Sequence, residues 1–189
     1  MHQRILREND LFIKLEKCSF FNNKINLLGF MIDNRQIKME QSKLKGIRDW
    51  PTPTKVKELR SFLGFCNFYH HFIRNYVDQS KSLNKLLKKT EPWNWMEDQQ
   101  KSFEDLKDLF SKEPVLLIPN QDKPFFIITD ASLYATGAVL EQEDTNGDRH
   151  PCTFLSQTLN AAEQKYQVYD RELLSILQAL RAWRHYIQG

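Results

Sequence analysis

Hydrophobic residues in this chain change their rhythm twice. Residues 11–39 carry short apolar runs in partial alternation: LFIKLE, then KINLLGFMI, a DNRQ turn and a QIKM return. Alternation of this kind predicts strands, so the segment is expected to be rich in hairpins. From Gln41 the spacing becomes helical. SKLKGIRDW stops at Pro51, and PTPT marks a turn whose Thr54 can cap the next helix. The pattern then predicts helices over about 55–76, 79–89 and 97–112, with PVLLIP closing the region. From Pro124 the period of two returns: FFIITD, ATGAVLEQ and CTFLSQ read as strands, with DTNGD as a tight hairpin turn. A last helix of about 25 residues completes an α+β fold. The boundary between the two halves is expected between about 112 and 124.

Composition narrows the class. With 41% hydrophobic and 12% aromatic residues, 189 residues can build packed cores for one large domain or two small ones. No run approaches the roughly 18 apolar residues of a membrane span, and MHQRILREND lacks the apolar stretch of a secretory signal. An intracellular protein without a membrane role is expected. Cys18, Cys66 and Cys152 are far apart, with no CxxC pair, so neither a disulfide framework nor a zinc site is indicated. The net charge of +3 hides an asymmetry. Residues 1–90 hold 18 basic and 8 acidic side chains, +10, and residues 91–189 hold 9 and 16, −7. A basic half suits a polyanion such as nucleic acid; an acidic half suits solubility or a metal-binding carboxylate site.

Within KVKELRSFLGFCNFYHHFIRNY the helical period separates two faces. Phe62, Cys66, Tyr69, Ile73 and Tyr76 fall on one and are expected to pack inward. Arg60, Gly64, Asn67, His71 and Arg74 fall on the other. That face is polar and basic, and Gly64 costs about 1 kcal/mol of helix stability while permitting close approach. Two readings stay open: a surface for a nucleic-acid groove, with Arg60 and Arg74 on phosphates, or solvated arginines around a helix contact.

Asp130 stands at the end of the apolar run FFIIT, followed by the small residues of ASLYATG, which let another backbone or a ligand approach. A carboxylate there is either a metal ligand at the end of a sheet or the cap of a turn. In the last helix Glu172 lies on the stripe Val168, Ile176, Ala179 and Trp183, an otherwise apolar face. A carboxylate on a buried face must be neutralised, paired or bound to a cation; the alternative is an edge residue paired with Arg181 or Arg184. Together Asp130 and Glu172 supply hard oxygen ligands of the kind that hold Mg²⁺ for phosphodiester hydrolysis.

The stretches DLFIKLEKCSF, NLLGFMI, IRDWPTPTKVKELRSFLGFCNFYHHFI, PVLLIPNQDKPF, TDASLYATGAVLEQ and YDRELLSILQALRAWRHYIQG, in this order and spacing, resemble the C-terminal part of the reverse transcriptase and RNase H of gypsy-class long-terminal-repeat retrotransposons. The resemblance implies three regions. Residues 1–40 would be the end of the polymerase palm, with a primer-grip hairpin at LLGF that includes Gly29. Residues 41–112 would be the helical thumb and its connector, with Arg60, Gly64, Asn67 and Phe68 on its minor-groove helix. Residues 113–189 would be the N-terminal half of an RNase H-like α/β domain, three antiparallel strands and one long helix. Asp130 and Glu172 match the first two catalytic carboxylates. The cofactor implied is Mg²⁺, and the partners are an RNA–DNA hybrid or duplex nucleic acid, with the remainder of the reverse transcriptase or a second copy.

Departures from the family bear on activity. No DD dipeptide occurs in the 189 residues, so the YxDD polymerase motif is missing, as are the third and fourth RNase H carboxylates. Position 70, more often arginine in the family, is His70. The chain alone is expected to be inactive, with an unpaired apolar edge beside the Asp130 strand. The alternatives are a non-catalytic nucleic-acid-binding module and a decayed retroelement product.

Overall fold

The computed structural model describes residues 22–112 and 115–188, together with residues 9, 10, 12, 14 and 18. Most of the LFIKLE strand expected at 11–16 falls outside the described residues. The KINLLGFMI run is two strands, β1 (Lys24–Leu27) and β2 (Phe30–Asp33), joined by a turn at Leu28 and Gly29 with φ of 52° and 83°. Glycine tolerates that second angle at no steric cost, so the turn splits what the apolar run alone reads as one strand. Asn34 and Arg35, at φ of 45° and 66°, make the expected DNRQ turn into β3 (Gln36–Met39). A two-residue strand, β4 (Leu116–Leu117), returns from the PVLLIP segment to close this antiparallel sheet in the order β1-β2-β3-β4.

Between β3 and β4 lie four helices: α1 (Gln41–Arg48), α2 (Val56–Phe68), α3 (Tyr76–Lys85) and α4 (Glu97–Ser111). Their apolar faces meet in one core built on Leu59, Phe62, Leu83, Phe103, Leu106 and Phe110, with the Phe62 and Phe103 rings 4.6 Å apart. Thr54 does not cap α2 through a backbone amide; its amide and hydroxyl both donate to the Glu58 carboxylate, at 2.9 and 3.0 Å. The single helix expected over 55–76 is interrupted. After Phe68 the chain tightens into a 3₁₀ turn, His70–Phe72, and Asn75 takes a left-handed φ of 54° before α3 begins. The inward set Phe62, Cys66, Tyr69, Ile73 and Tyr76 is nonetheless buried throughout.

The second sheet is β5 (Phe126–Ala131), β6 (Ala135–Glu143) and β7 (Arg149–Thr158), antiparallel in the order β5-β6-β7. The DTNGD hairpin turn forms as expected: the Asp144 carboxylate accepts from the amides of Asn146 and Asp148 at 2.7 and 3.1 Å, and Gly147 takes φ 88°. Gln142, buried, brackets the incoming strand-to-sheet segment by exchanging hydrogen bonds with the Asn120 backbone at 2.8 and 2.7 Å. The closing helix, expected at about 25 residues, is α5 (Val168–Ala182), a break at Trp183 and a short α6 (Arg184–Ile187). α5 covers one face of the sheet, where Ala138, Leu140, Cys152, Ala179 and Trp183 form a second core. The other face meets the helical region, with Phe154 packed into the first core.

Candidate nucleic-acid interface and carboxylate pair

Gly29 and Phe68 come together through one aromatic residue. Phe30 follows the Gly29 turn and stacks on Phe68 at 5.5 Å and on Phe72 at 5.8 Å, with Tyr69 meeting it edge-on at 5.2 Å. The hairpin is thereby seated on the C-terminal end of α2. A Cβ on Gly29 would collide with the Tyr69 hydroxyl, so the turn lies directly against the helix. Phe68 remains 52% exposed beside it. Arg60, Gly64 and Asn67 are exposed along α2, and nothing lies within 4 Å of where a Gly64 Cβ would be. Among the described residues, then, no neighbouring helix packs at Gly64, and its face is open to that extent.

The expected face does not continue to His71 and Arg74. Both are exposed, but they follow the break after Phe68, off the axis of α2. The His71 ring turns to the second sheet, with Nδ1 3.4 Å from the Phe154 carbonyl. Burial, and then the neighbouring His70, hold its pKa below the ordinary histidine value. The sequence periodicity could not find this, because the apolar spacing continues past Phe68 while the helix does not.

Asp130 is exposed near the end of β5, and Glu172 is half-buried in the first turns of α5. The stripe expected around Glu172 is corrected in part: Val168 and Ile176 are exposed, and the buried positions are Ser175, Ala179 and Trp183. Glu172 still precedes Ser175 by three residues, which leaves it on the side of α5 turned to the sheet. One hydrogen bond draws the two segments together: Arg171 Nη1 donates to the Ser132 carbonyl at 2.8 Å, so the neighbours of both carboxylates meet at one end of the sheet. Arg171 Nε is buried without a hydrogen-bond partner among the described residues.

Strand alternation assigns the two acids to different approaches. Ile127 belongs to the core beneath α5, so Thr129 and Ala131 share its face, while Ile128 and Asp130 turn to the other. Glu172 reaches the sheet end from the helix side. A cation shared by both would sit off the end of the sheet, not between two layers. Neither carboxylate has an ion-pair partner among the described residues, and no cluster of three or more His, Cys, Asp or Glu able to hold a metal occurs among them. Two hard-oxygen donors without a competing cation suit Mg²⁺, which takes one or two carboxylates and fills its remaining positions otherwise.

The small residues of ASLYATG have a neighbour. Gly137, paired with Asp130 across the ladder, lies against the Asn75 side-chain oxygen, where a Cβ would collide. Close by, Ser132 Oγ donates to Asp78 Oδ1 at 3.2 Å. The start of α3 is thus docked onto the strand end that carries Asp130, a relation for which the sequence holds only the glycine as a signal. Two of the cysteines are buried: burial pushes the Cys66 thiol far up, and burial followed by Glu141 pushes Cys152 up to about 11.

A model of the RNase H-like domain found in reverse transcriptase matches residues 95–189. The chain belongs to this family. Relatives of the RNase H-like chain are retrotransposon polyproteins: the retrovirus-related Pol polyprotein from transposon 297 of Drosophila melanogaster, 40% identical over 97% of the chain and 17% of the relative, that from transposon 412, 36% identical over 97% and 15%, and the Tf2-3 polyprotein of Schizosaccharomyces pombe, 33% identical over 97% and 14%. The RNase H-like chain spans less than a fifth of the length of these relatives. Its fold matches foamy viral protease-reverse transcriptase in complex with dsDNA, with TM-score 0.79 and 21% identity over 98% of this chain and 39% of that one. The same enzyme in complex with RNA/DNA hybrid gives 0.77 and 20% over 100% and 26%. The α+β architecture of helical region plus antiparallel sheets is therefore shared with the matched part of these foamy viral chains. Among the described residues of the RNase H-like chain no helix is long and apolar enough to cross a membrane.

Proposed function

We propose that this chain holds an RNA–DNA hybrid or duplex nucleic acid for an RNA-directed DNA polymerase and carries two carboxylates of its RNase H site. The observation that carries this reading is the Arg171 to Ser132 hydrogen bond, which brings the segments of Asp130 and Glu172 to one end of the sheet. The open face of Arg60, Gly64 and Asn67, with Phe68 and the Gly29 turn beside it, supports the duplex grip: small and basic groups admit a backbone, and an exposed ring offers a surface for a sugar. Foamy viral complexes with dsDNA and RNA/DNA hybrid, of the same fold, favour this partner class. Arg74 and His71 would contribute from beyond the break, at the approach to the sheet.

Asp130 and Glu172 are the residues that would hold Mg²⁺; bound there, the ion lowers the pKa of water and offsets charge on the scissile phosphate. Arg171 holds the helix end in place, and Asn75, against Gly137, holds the strand end. Both acids stand where a duplex backbone has access. The protein would act inside the cell, with the remainder of the reverse transcriptase or a second copy. A second reading, a non-catalytic nucleic-acid-binding module, rests on the exposed face of Arg60, Gly64 and Asn67 alone.

Cleavage of a labelled RNA–DNA hybrid in Mg²⁺ separates the two. The 189-residue chain alone should bind without cutting; within a full Pol polyprotein, Asp130→Asn and Glu172→Gln should each abolish RNA cleavage while leaving hybrid binding intact. Undiminished cleavage in the Asp130→Asn polyprotein would leave only the binding reading.

A further inference from the structure

A cleft of about 810 Å³ separates α3 and the turn after it from the second sheet. Both halves of the chain supply its walls: Lys81, Lys85 and Lys88 on one side, Tyr134, Ser156 and Thr158 on the other. Asn67, from the open face of α2, lines it too, so the cleft continues the surface proposed to grip a duplex. Four residues separate Lys81 from Lys85 and three separate Lys85 from Lys88, the spacing that lines side chains along one side of a helical segment. No salt bridge engages any of the three among the described residues. Lys81 instead places its ammonium over the Tyr134 ring, spanning the cleft from helix to sheet. Asp98 is the one acidic residue in the lining.

Like charges at these spacings repel; Asp98 alone brings a negative charge to the lining, and it forms no ion pair with the lysines. Pockets for small apolar ligands are lined mainly by hydrophobic and aromatic groups; here lysine, serine, asparagine and threonine side chains stand among Tyr76, Val77 and Tyr134. A row of ammonium groups without ion pairs among the described residues, opposite hydroxyls, matches an anion that repeats along its length.

We infer that the cleft between α3 and β7 seats the sugar–phosphate backbone of one nucleic-acid strand leaving the α2 face, with Lys85 and Lys88 each neutralising a phosphate. Lys81 and Tyr134 mark where that strand passes from the helical region to the sheet. The inference rests on the reading of α2 as a duplex-gripping surface and extends its footprint to the second half of the chain.

Equilibrium binding of a labelled RNA–DNA hybrid to the 189-residue chain, titrated across salt, tests it. Removing both charges in Lys85→Gln/Lys88→Gln should lower the slope of log affinity against log salt by about 2, close to one unit per phosphate. Lys101→Gln/Lys112→Gln, which removes the same charge outside the cleft, should leave the slope unchanged. Arg60→Ala should lower it by about 1. An unchanged slope in the Lys85/Lys88 variant, with Arg60→Ala still effective, overturns the cleft and leaves the α2 reading standing. Equal losses from the Lys101/Lys112 control also overturn it, as a net-charge effect. A wild-type chain that does not bind, or binds independently of salt, defeats the α2 reading itself.

Discussion

Gly29 has no room for a side chain. Its φ of 83° already disfavours any L-residue, and the Tyr69 hydroxyl occupies the Cβ position, with Tyr69 itself held by the rings of Phe30, Phe65 and Phe68. Gly29→Ala should therefore cost about 1–3 kcal/mol in chemical denaturation, the range for strain at a left-handed position with a blocked Cβ. His71 makes a pH-dependent contribution of definite sign. Its pKa is depressed in the folded chain, so the unfolded chain binds the proton more readily, and stability falls as pH drops below about 6.5. Melting temperatures from pH 8 to pH 5 should show this fall, and His71→Gln should make it shallower. Neither feature was fully legible. The LLGF stretch marks Gly29 as special, but the aromatic seat beneath it is tertiary, and His71 reads from periodicity alone as one more solvent-facing polar residue.

The elements divide in the same way. Periodicity located α2 and its inward face because each buried ring recurs at helical spacing. It ran past the helix end because nothing between Tyr69 and Arg74 forbids a helix; α2 stops at Phe68, and the left-handed Asn75, pressed against Gly137, sets the start of α3. For α5 the sheet-facing line Ser175, Ala179 and Trp183 is narrower than the apolar pattern suggests, so Leu173, Ile176, Leu177 and Leu180 stay 42–56% exposed. β5 beside it has a single strand neighbour among the described elements. An apolar ridge next to an open strand edge promotes self-association. Light scattering of the isolated chain should report concentration-dependent association that Leu177→Lys reduces, with thermal stability within about 0.5 kcal/mol of the parent. Undiminished association would assign it to another surface.

At the scale of the molecule, the opposite charges of the two halves are legible in the sequence, and so are the two segments with different periods. Their joining is not. Ser132 with Asp78, Val77 with Ser156 and Gly137 with Asn75 are contacts between residues more than fifty positions apart, chosen by shape and not by any local pattern. They dock the α3 start on the sheet end where Asp130 stands, so on the proposed reading a duplex held by α2 would lie on the half of the chain fixed to that end. Asp130 and Glu172 approach that end from opposite faces, which makes their cooperation on one cation the claim on which the nuclease reading turns. Paramagnetic broadening by Mn²⁺, standing in for Mg²⁺, measures it directly in the hybrid-bound, isotope-labelled chain. Amide signals of Ala131 and Ser132 should broaden together with those of Arg171 and Glu172, and Asp130→Asn should abolish both effects. Broadening of one segment without the other, or broadening of both that survives Asp130→Asn, would contradict a shared site.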